Sequence, residues 1–151
     1  MPTDAELRAV RQAIYRAIVD TAVAPRPADV AAGCGISIER ADAAFRALAD
    51  AHVVVLRQSP SSSTELWAAP PFAADETGFR VDANGKSWFG VCAWDAFGVP
   101  AALHADARIR AACAWSGEPI ECGVRDGAAF GTAVVHLLVP AARFWDDIFY
   151  T

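Results

Sequence analysis

The first fifty residues alternate apolar and polar positions at helical spacing. Apolar side chains recur every three to four residues at Leu7, Val10, Ile14 and Ile18, which predicts an amphipathic helix over residues 4–22. A short helix over residues 28–32 should end at the turn Gly33-Cys34-Gly35. Ser37 is a suitable N-cap for a third helix, which the apolar stripe extends to about Ala51.

The pattern then changes to that of strands. A β-branched run at residues 53–57 and a shorter run at 65–68 flank a polar tip at 58–64. Three helices followed by a hairpin is the order of a winged helix-turn-helix. We therefore predict a winged-helix-like subdomain over residues 1–69, with Pro70 and Pro71 at the boundary.

Residues 70–151 have the pattern of a small β-domain. Asn84-Gly85 is a strong two-residue hairpin signal between strands at 79–82 and 86–89. A short helix over residues 92–97 should be stopped by Gly98 and Pro100. Further strands are predicted at 107–112, 119–124 and 132–139. The predicted fold class is α+β: a winged-helix-like helical subdomain, then a small mixed or antiparallel sheet with one short helix.

Composition and charge narrow the class of protein. The 151 residues are 54% apolar and 21% charged, with a net charge of -5, which predicts a folded chain without the basic face of most nucleic-acid binders. Charges in the first eleven residues interrupt any secretory signal pattern, and no run reaches the roughly 18 apolar residues of a membrane span. We therefore expect a cytoplasmic protein without a membrane partner. Four cysteines without a C-x2-C pair indicate reduced thiols rather than a structural zinc site.

The third helix is the one that would read DNA in a winged helix. Its charged residues are two arginines against three acids, and the tip at 58–64 contains no Lys or Arg. A reading helix needs cationic or amide side chains to reach phosphates and base edges. The sequence therefore favours a structural role for residues 1–69, with DNA binding as the alternative.

Candidate chemistry lies in the segment from Trp88 to Ala101. If the chain is helical from Cys92, the thiol and the Asp95 carboxylate share one face at i and i+3. A helix N-terminus favours the thiolate, which binds soft metals, and a neighbouring carboxyl group can deliver a proton. Aromatic neighbours in this segment would exclude water from the pair and raise the pKa of the carboxyl group. By itself this spacing also fits a buried cysteine beside an ordinary first-turn aspartate.

The wider segment resembles the alkylmercury lyase family. The run Val91-Cys92-Ala93-Trp94-Asp95-Ala96-Phe97-Gly98-Val99-Pro100-Ala101-Ala102-Leu103 is similar to the active-site segment of that family. The resemblance continues through Ala107-Arg108-Ile109, through Cys113-Ala114-Trp115-Ser116-Gly117-Glu118-Pro119-Ile120 and through Val134–Pro140. The helical front agrees with the N-terminal region of the family, so the resemblance covers nearly the whole chain.

The resemblance implies protonolysis of a carbon–mercury bond. Cys92 would bind the mercury of an organomercurial as a thiolate, and Asp95 would pass the proton to the departing carbon. The products would be Hg(II) and a hydrocarbon. No cofactor is implied beyond an exogenous thiol, and the sequence leaves the oligomeric state open.

One catalytic group of the family is missing from this sequence. The family has a second catalytic cysteine beyond the position of Thr151, and no cysteine follows Cys122. Either the sequence is truncated, or it is a divergent member with impaired activity. Cys113 matches a family cysteine with a structural role, whereas Cys122 is unmatched and is a candidate second mercury ligand. The alternative function is a non-catalytic binder of Hg(II) or another soft metal, or a metal-responsive winged-helix regulator.

Overall fold

The computed structural model describes residues 1–57 and 64–150, which form two compact units, Met1–Ala69 and Pro70–Thr151. Most of the predicted polar tip, residues 58–63, lies outside the described residues. Within the described part of the chain, no helix has both the length and the apolar character needed to cross a membrane.

The first unit contains the three predicted helices. They are α1 (Asp4–Thr21), α2 (Pro27–Cys34) and α3 (Ile38–Asp50). Their apolar stripes meet in one core, formed by Val10, Ile14, Ile18, Val30, Ala31, Ala41, Ala44, Phe45 and Leu48. The helical spacing of the apolar positions therefore predicted α1 and α3, whereas α2 continues through Gly33 and Cys34, beyond the predicted end at residue 32.

Two of these helices begin at side-chain caps. Thr3 and Glu6 form a capping box on α1, in which the backbone N–H of Thr3 donates to the Glu6 carboxylate at 2.8 Å. On α3, the Ser37 hydroxyl accepts a hydrogen bond from the backbone N–H of Arg40 at 3.3 Å, which confirms the predicted N-cap. Each cap satisfies an amide that the helix itself leaves unpaired.

A short hairpin follows α3 in the first unit. Strand β1 (Val55–Leu56) pairs antiparallel with β2 (Leu66–Ala69). Helix, short helix, helix and hairpin is the predicted order of elements. The assignment of this unit as a winged helix stays a prediction.

The second unit is an antiparallel sheet with one helix. Its elements are β3 (Phe72–Ala73), β4 (Arg80–Ala83), β5 (Lys86–Gly90), α4 (Ala93–Leu103), β6 (Ala107–Ala112), β7 (Pro119–Arg125), β8 (Ala128–Phe130) and a 3₁₀ helix, Ala141–Asp146. The strands lie in the order β3-β5-β4-β6-β7-β8, and each neighbouring pair is antiparallel. The turn between β4 and β5 has positive φ at Asn84 (50°) and Gly85 (73°), as a hairpin of this sequence requires.

Helix α4 is longer than the predicted helix over residues 92–97. It continues past Gly98 and contains Pro100 in its interior. Proline removes one helical hydrogen bond, at a cost of about 3 kcal/mol. Ala96, Val99 and Pro100 are buried against the sheet, and this burial offsets that cost, so the sequence rule for helix termination gave the wrong end.

The strand predicted at residues 132–139 is also wrong. The last strand is β8, which the tight turn at Asp126 and Gly127 folds back on β7. Val134 is 89% exposed and Leu138 is 60% exposed. This run has the aliphatic composition of a strand, but it pairs with no strand of the sheet, whose last member is β8.

Candidate active site

Cys92 and Asp95 lie together at the N-terminus of α4. Cys92 is the N-cap residue, with an extended backbone, and its carbonyl accepts the first helical hydrogen bond from Ala96 at 2.9 Å. Asp95 is the third helical residue, so its side chain turns back toward the cap. The Cys92 thiol donates to the Asp95 carboxylate, with 3.8 Å between Sγ and Oδ2. The i and i+3 spacing on a helix produces this contact.

The backbone just before Cys92 is held by several hydrogen bonds. The Thr77 hydroxyl donates to the carbonyl of Gly90 at 2.6 Å, and the amide of Gly90 donates to the carbonyl of Phe79 at 2.9 Å. Gly90 also has no room for a side chain, because an added Cβ would lie 2.6 Å from the backbone nitrogen of Ala96. The end of β5 thus contacts the first turn of α4 directly, which fixes the position of Cys92. Sequence reasoning missed both Thr77 and Gly90.

The protonation of Asp95 is controlled by burial. Burial raises the pKa of the Asp95 carboxyl group, and the hydrogen bond from Cys92 opposes that rise. Cys92 itself is only 7% exposed. Trp94 is 69% exposed and does not contribute to this burial, whereas the expected rise in the pKa of the carboxyl group agrees with the burial of Asp95. The pair therefore combines a buried soft ligand with a carboxyl group that retains its proton to higher pH than a free aspartate.

The other two cysteines of this unit line a separate cavity. Cys122 lies on β7 opposite Ile109 and is 8% exposed, and burial raises the pKa of its thiol. Cys113 follows β6 in the turn to β7, where hydrogen bonds from Ser116 lower the pKa of its thiol. Neither Cys92 nor Asp95 lines this cavity. Cys122 stays a predicted mercury ligand, although a thiol with a raised pKa is a poor source of thiolate.

The described residues contain no cluster of three or more His, Cys, Asp or Glu side chains suited to a metal ion.

The two arginines of α3 form ion pairs with acidic side chains. Arg40 forms a bidentate ion pair with Glu6, at 2.6 and 2.7 Å, and Arg46 pairs with Asp42 at 2.9 Å. These contacts reduce the positive charge that the helix offers to a phosphate backbone. They support the prediction that this helix does not read DNA, which stays a prediction.

Comparison with known proteins identifies the family. The family model described as alkylmercury lyase matches residues 72–150, which is just over half of the chain and includes Cys92 and Asp95. A search of curated proteins gave no match. A solved structure, the mercury-bound form of MerB2, has the same fold with a TM-score of 0.65 at 22% sequence identity. That likeness covers 85% of this chain and 60% of the other, so the chain spans about 60% of the length of that structure. The earlier resemblance is thereby confirmed, and the chain belongs to the alkylmercury lyase family.

Proposed function

We propose that the Cys92–Asp95 pair binds an organomercurial and cleaves its carbon–mercury bond by protonolysis. The observation that carries this proposal is the contact of 3.8 Å between Cys92 Sγ and Asp95 Oδ2 at the start of a helix. It lies within the part of the chain that the alkylmercury lyase family matches. Mercury bound to the structural neighbour MerB2 supports the same class of ligand.

The first step is a ligand exchange at mercury. The Cys92 sulfur forms a bond to mercury in R–Hg–X, and the anion X⁻ leaves. The thiol proton passes to the Asp95 carboxylate, which already accepts the hydrogen bond from that thiol. Because burial raises the pKa of Asp95, the carboxyl group can retain this proton while mercury is bound.

The second step is proton transfer to carbon. The Asp95 carboxyl group donates its proton to the carbon of the Hg–C bond, and the electron pair of that bond forms the new C–H bond. A hydrocarbon leaves, Hg(II) stays on the Cys92 sulfur, and Asp95 returns to the carboxylate. One proton that starts on Cys92 is thus sufficient for one turnover.

The proposed cleavage also needs a second sulfur ligand on mercury. Two thiolates on mercury weaken the Hg–C bond more than one, because each donates electron density to the metal. A small thiol in solution can occupy that position during the reaction and then remove Hg(II). We therefore propose that an exogenous thiol acts as co-substrate and that the protein needs no resident cofactor.

Hydrocarbon release tests the proposal directly. The protein is incubated with phenylmercury or methylmercury and excess cysteine, and benzene or methane is measured by gas chromatography. Cys92→Ser and Asp95→Asn should each lower the rate by several powers of ten, because the two groups act as one unit. Cys34→Ser is the matched control, since this half-buried thiol belongs to the other unit.

The variants separate the roles of the two residues. Asp95→Asn should still bind mercury in equimolar amount, whereas Cys92→Ser should lose that binding at this position. Cleavage that persists at the wild-type rate in Cys92→Ser would refute the proposed chemistry. Mercury binding at Cys92 with no hydrocarbon release under any thiol concentration would instead favour the alternative, a non-catalytic mercury binder.

A further inference from the structure

The position of the Asp95 carboxyl group depends on the packing around it. Among residues 1–57 and 64–150 its side chain has a single hydrogen bond, which comes from the Cys92 thiol with 3.8 Å between Sγ and Oδ2. A thiol is a weak donor, so this bond alone holds the carboxyl group loosely. Asp95 is nevertheless half-buried, and its neighbours therefore decide how well it stays in contact with Cys92.

Gly98 allows a proline ring to pack beside that carboxyl group. It lies three residues after Asp95 in α4, on the same face of the helix. A Cβ at Gly98 would lie 4.0 Å from Oδ1 of Asp95, but only 2.9 Å from Cβ and 3.4 Å from Cγ of Pro71. The Pro71 ring thus fills the place that a side chain at this position would need. Glycine is, after proline, the least favourable residue in a helix interior, and the approach of the ring gives a physical reason for it here.

Pro71 also contacts the chain on the other side of the site. Its carbonyl accepts a hydrogen bond from the amide of Val91 at 3.4 Å, and Val91 directly precedes Cys92. The residue after Pro71 begins β3 and pairs with Gly90 on β5. The backbone of Pro71 is therefore attached to the strand end before Cys92, while its ring packs against the helix turn after Asp95. Because of that attachment, the ring cannot move away from α4 without moving the end of β5.

We propose that Pro71 is a positioning residue of the candidate active site, whose ring, packed on Gly98, holds the first turns of α4 where Asp95 meets Cys92. It acts through Gly98 and through the Val91 amide, not by contact with the substrate. The inference rests on the proposed function, in which a proton moves from Cys92 to Asp95 and then to carbon and therefore depends on their separation. A displacement of about 1 Å in a reacting group can lower a rate by about two powers of ten.

Two substitutions change this contact from opposite sides. Gly98→Ala adds a methyl group against the Pro71 ring, and Pro71→Gly removes the Cβ and Cγ that this methyl group would meet. Each variant alone should release benzene from phenylmercury more slowly by about tenfold or more, because Asp95 is displaced from the reacting atoms. The amount of Hg(II) bound at equilibrium against excess glutathione, measured by dialysis and mass spectrometry, should stay that of the wild type, since no thiol of the protein is changed.

The double variant and a matched control separate positioning from a general loss of stability. In Gly98→Ala/Pro71→Gly the methyl group takes part of the space of the ring, so benzene release should be faster than in either single variant. Substitutions that act independently would instead give losses that add. Gly33→Ala is the control, because it is the same change in a helix with no heavy atom within 4 Å of the added Cβ, and its rate should equal that of the wild type. Urea unfolding verifies that each variant is folded in the assay.

The uptake of mercury distinguishes failure of this inference from failure of the proposed function. Phenylmercury uptake by Cys92 needs no cleavage, and Asp95 accepts the thiol proton in that step. The uptake rate, taken from the absorbance change that Cys92→Ser lacks, should show the same slowing in the single variants and the same recovery in the double variant, even if the wild type releases no benzene. Should Gly98→Ala not fold, Pro71→Gly, which adds no atom, decides alone. Wild-type rates in the single variants, or losses that add in the double variant, would overturn the role of Pro71.

Discussion

Gly90 gives the sharpest test of how the candidate active site is held in place. An alanine Cβ at this position would lie 2.6 Å from the Ala96 nitrogen, 2.8 Å from the Ala96 Cα and 3.1 Å from the Cys92 carbonyl oxygen. Attractive contact between such atoms begins at about 3.5 Å. The first turn of α4 or the end of β5 must therefore move by about 1 Å in Gly90→Ala, and both carry the residues of the site.

The expected loss of stability follows from two opposing effects. Overpacking of this kind costs about 1–3 kcal/mol, whereas replacing glycine by alanine at a permitted backbone conformation stabilises by about 0.4–1 kcal/mol through the unfolded state. The obstacles are backbone atoms, which cannot rotate away, so the clash should dominate. We expect Gly90→Ala to lose about 1–2 kcal/mol, equivalent to a decrease of about 2–8 °C in Tm for a chain of this size.

Gly78→Ala is the matched control because no heavy atom lies within 4 Å of its added Cβ. It should be as stable as the wild type or slightly more stable. Urea unfolding followed by tryptophan fluorescence is suitable, since Trp88 is 4% exposed and lies on β5. Gly90→Ala should also slow the reaction of Cys92 with a mercurial or change its pH profile, because the Cys92–Asp95 contact is displaced. Equal stability of the two variants, with unchanged Cys92 reactivity, would refute the argument that β5 positions the site.

Three further predictions concern protonation, thiols and DNA. Burial raises the pKa of Asp95. The protonated carboxyl group therefore adds to the stability of the folded protein below about pH 4, and this addition is lost as the pH rises through the raised pKa. Asp95→Asn should be more stable than the wild type at pH 7, and urea titrations should show the two free energies of unfolding converging on acidification. The polypeptide of residues 1–151 should release hydrocarbon faster as cysteine is added, and fast turnover without thiol that Cys122→Ser abolishes would instead make Cys122 the second ligand. An anisotropy titration at moderate salt should show no specific binding of the protein to duplex DNA with a submicromolar Kd, since Arg40 and Arg46 are paired with acids.

The sequence predicted the elements that depend on local pattern. The stripe of α1, the N-cap at Ser37 and the Asn84-Gly85 turn each have a local cause, and each is present in the structure. The end of α4 and the strand at 132–139 depended on tertiary packing. Pro100 is tolerated because its helix face is buried, whereas the aliphatic run near Val134 lies outside the sheet and is largely exposed.

The sequence likewise predicted only one part of the candidate site, the part that depends on local spacing. The spacing of Cys92 and Asp95 was sufficient to place both side chains on one turn, because helix geometry fixes i and i+3 neighbours. Gly90 and Thr77 gave no comparable signal, since their roles arise from the approach of β5 to α4 and from a loop hydrogen bond to the Gly90 carbonyl. Residues that position a catalytic group through the backbone are identifiable only when that backbone is known.

The protonation of Asp95 shows why position alone does not decide chemistry. An aspartate in the first turn of a helix is normally stabilised as the anion by the helix dipole, and here the Cys92 thiol adds a hydrogen bond that also favours the anion. Burial acts in the opposite direction and is the larger effect, so the pKa is raised. Because burial makes the carboxylate anion unfavourable, Asp95 destabilises the folded protein at neutral pH. The same burial favours the protonated carboxyl group, which is the form of aspartate that can deliver a proton to carbon. The stability gained by Asp95→Asn and the cleavage lost by the same change should therefore have one physical origin.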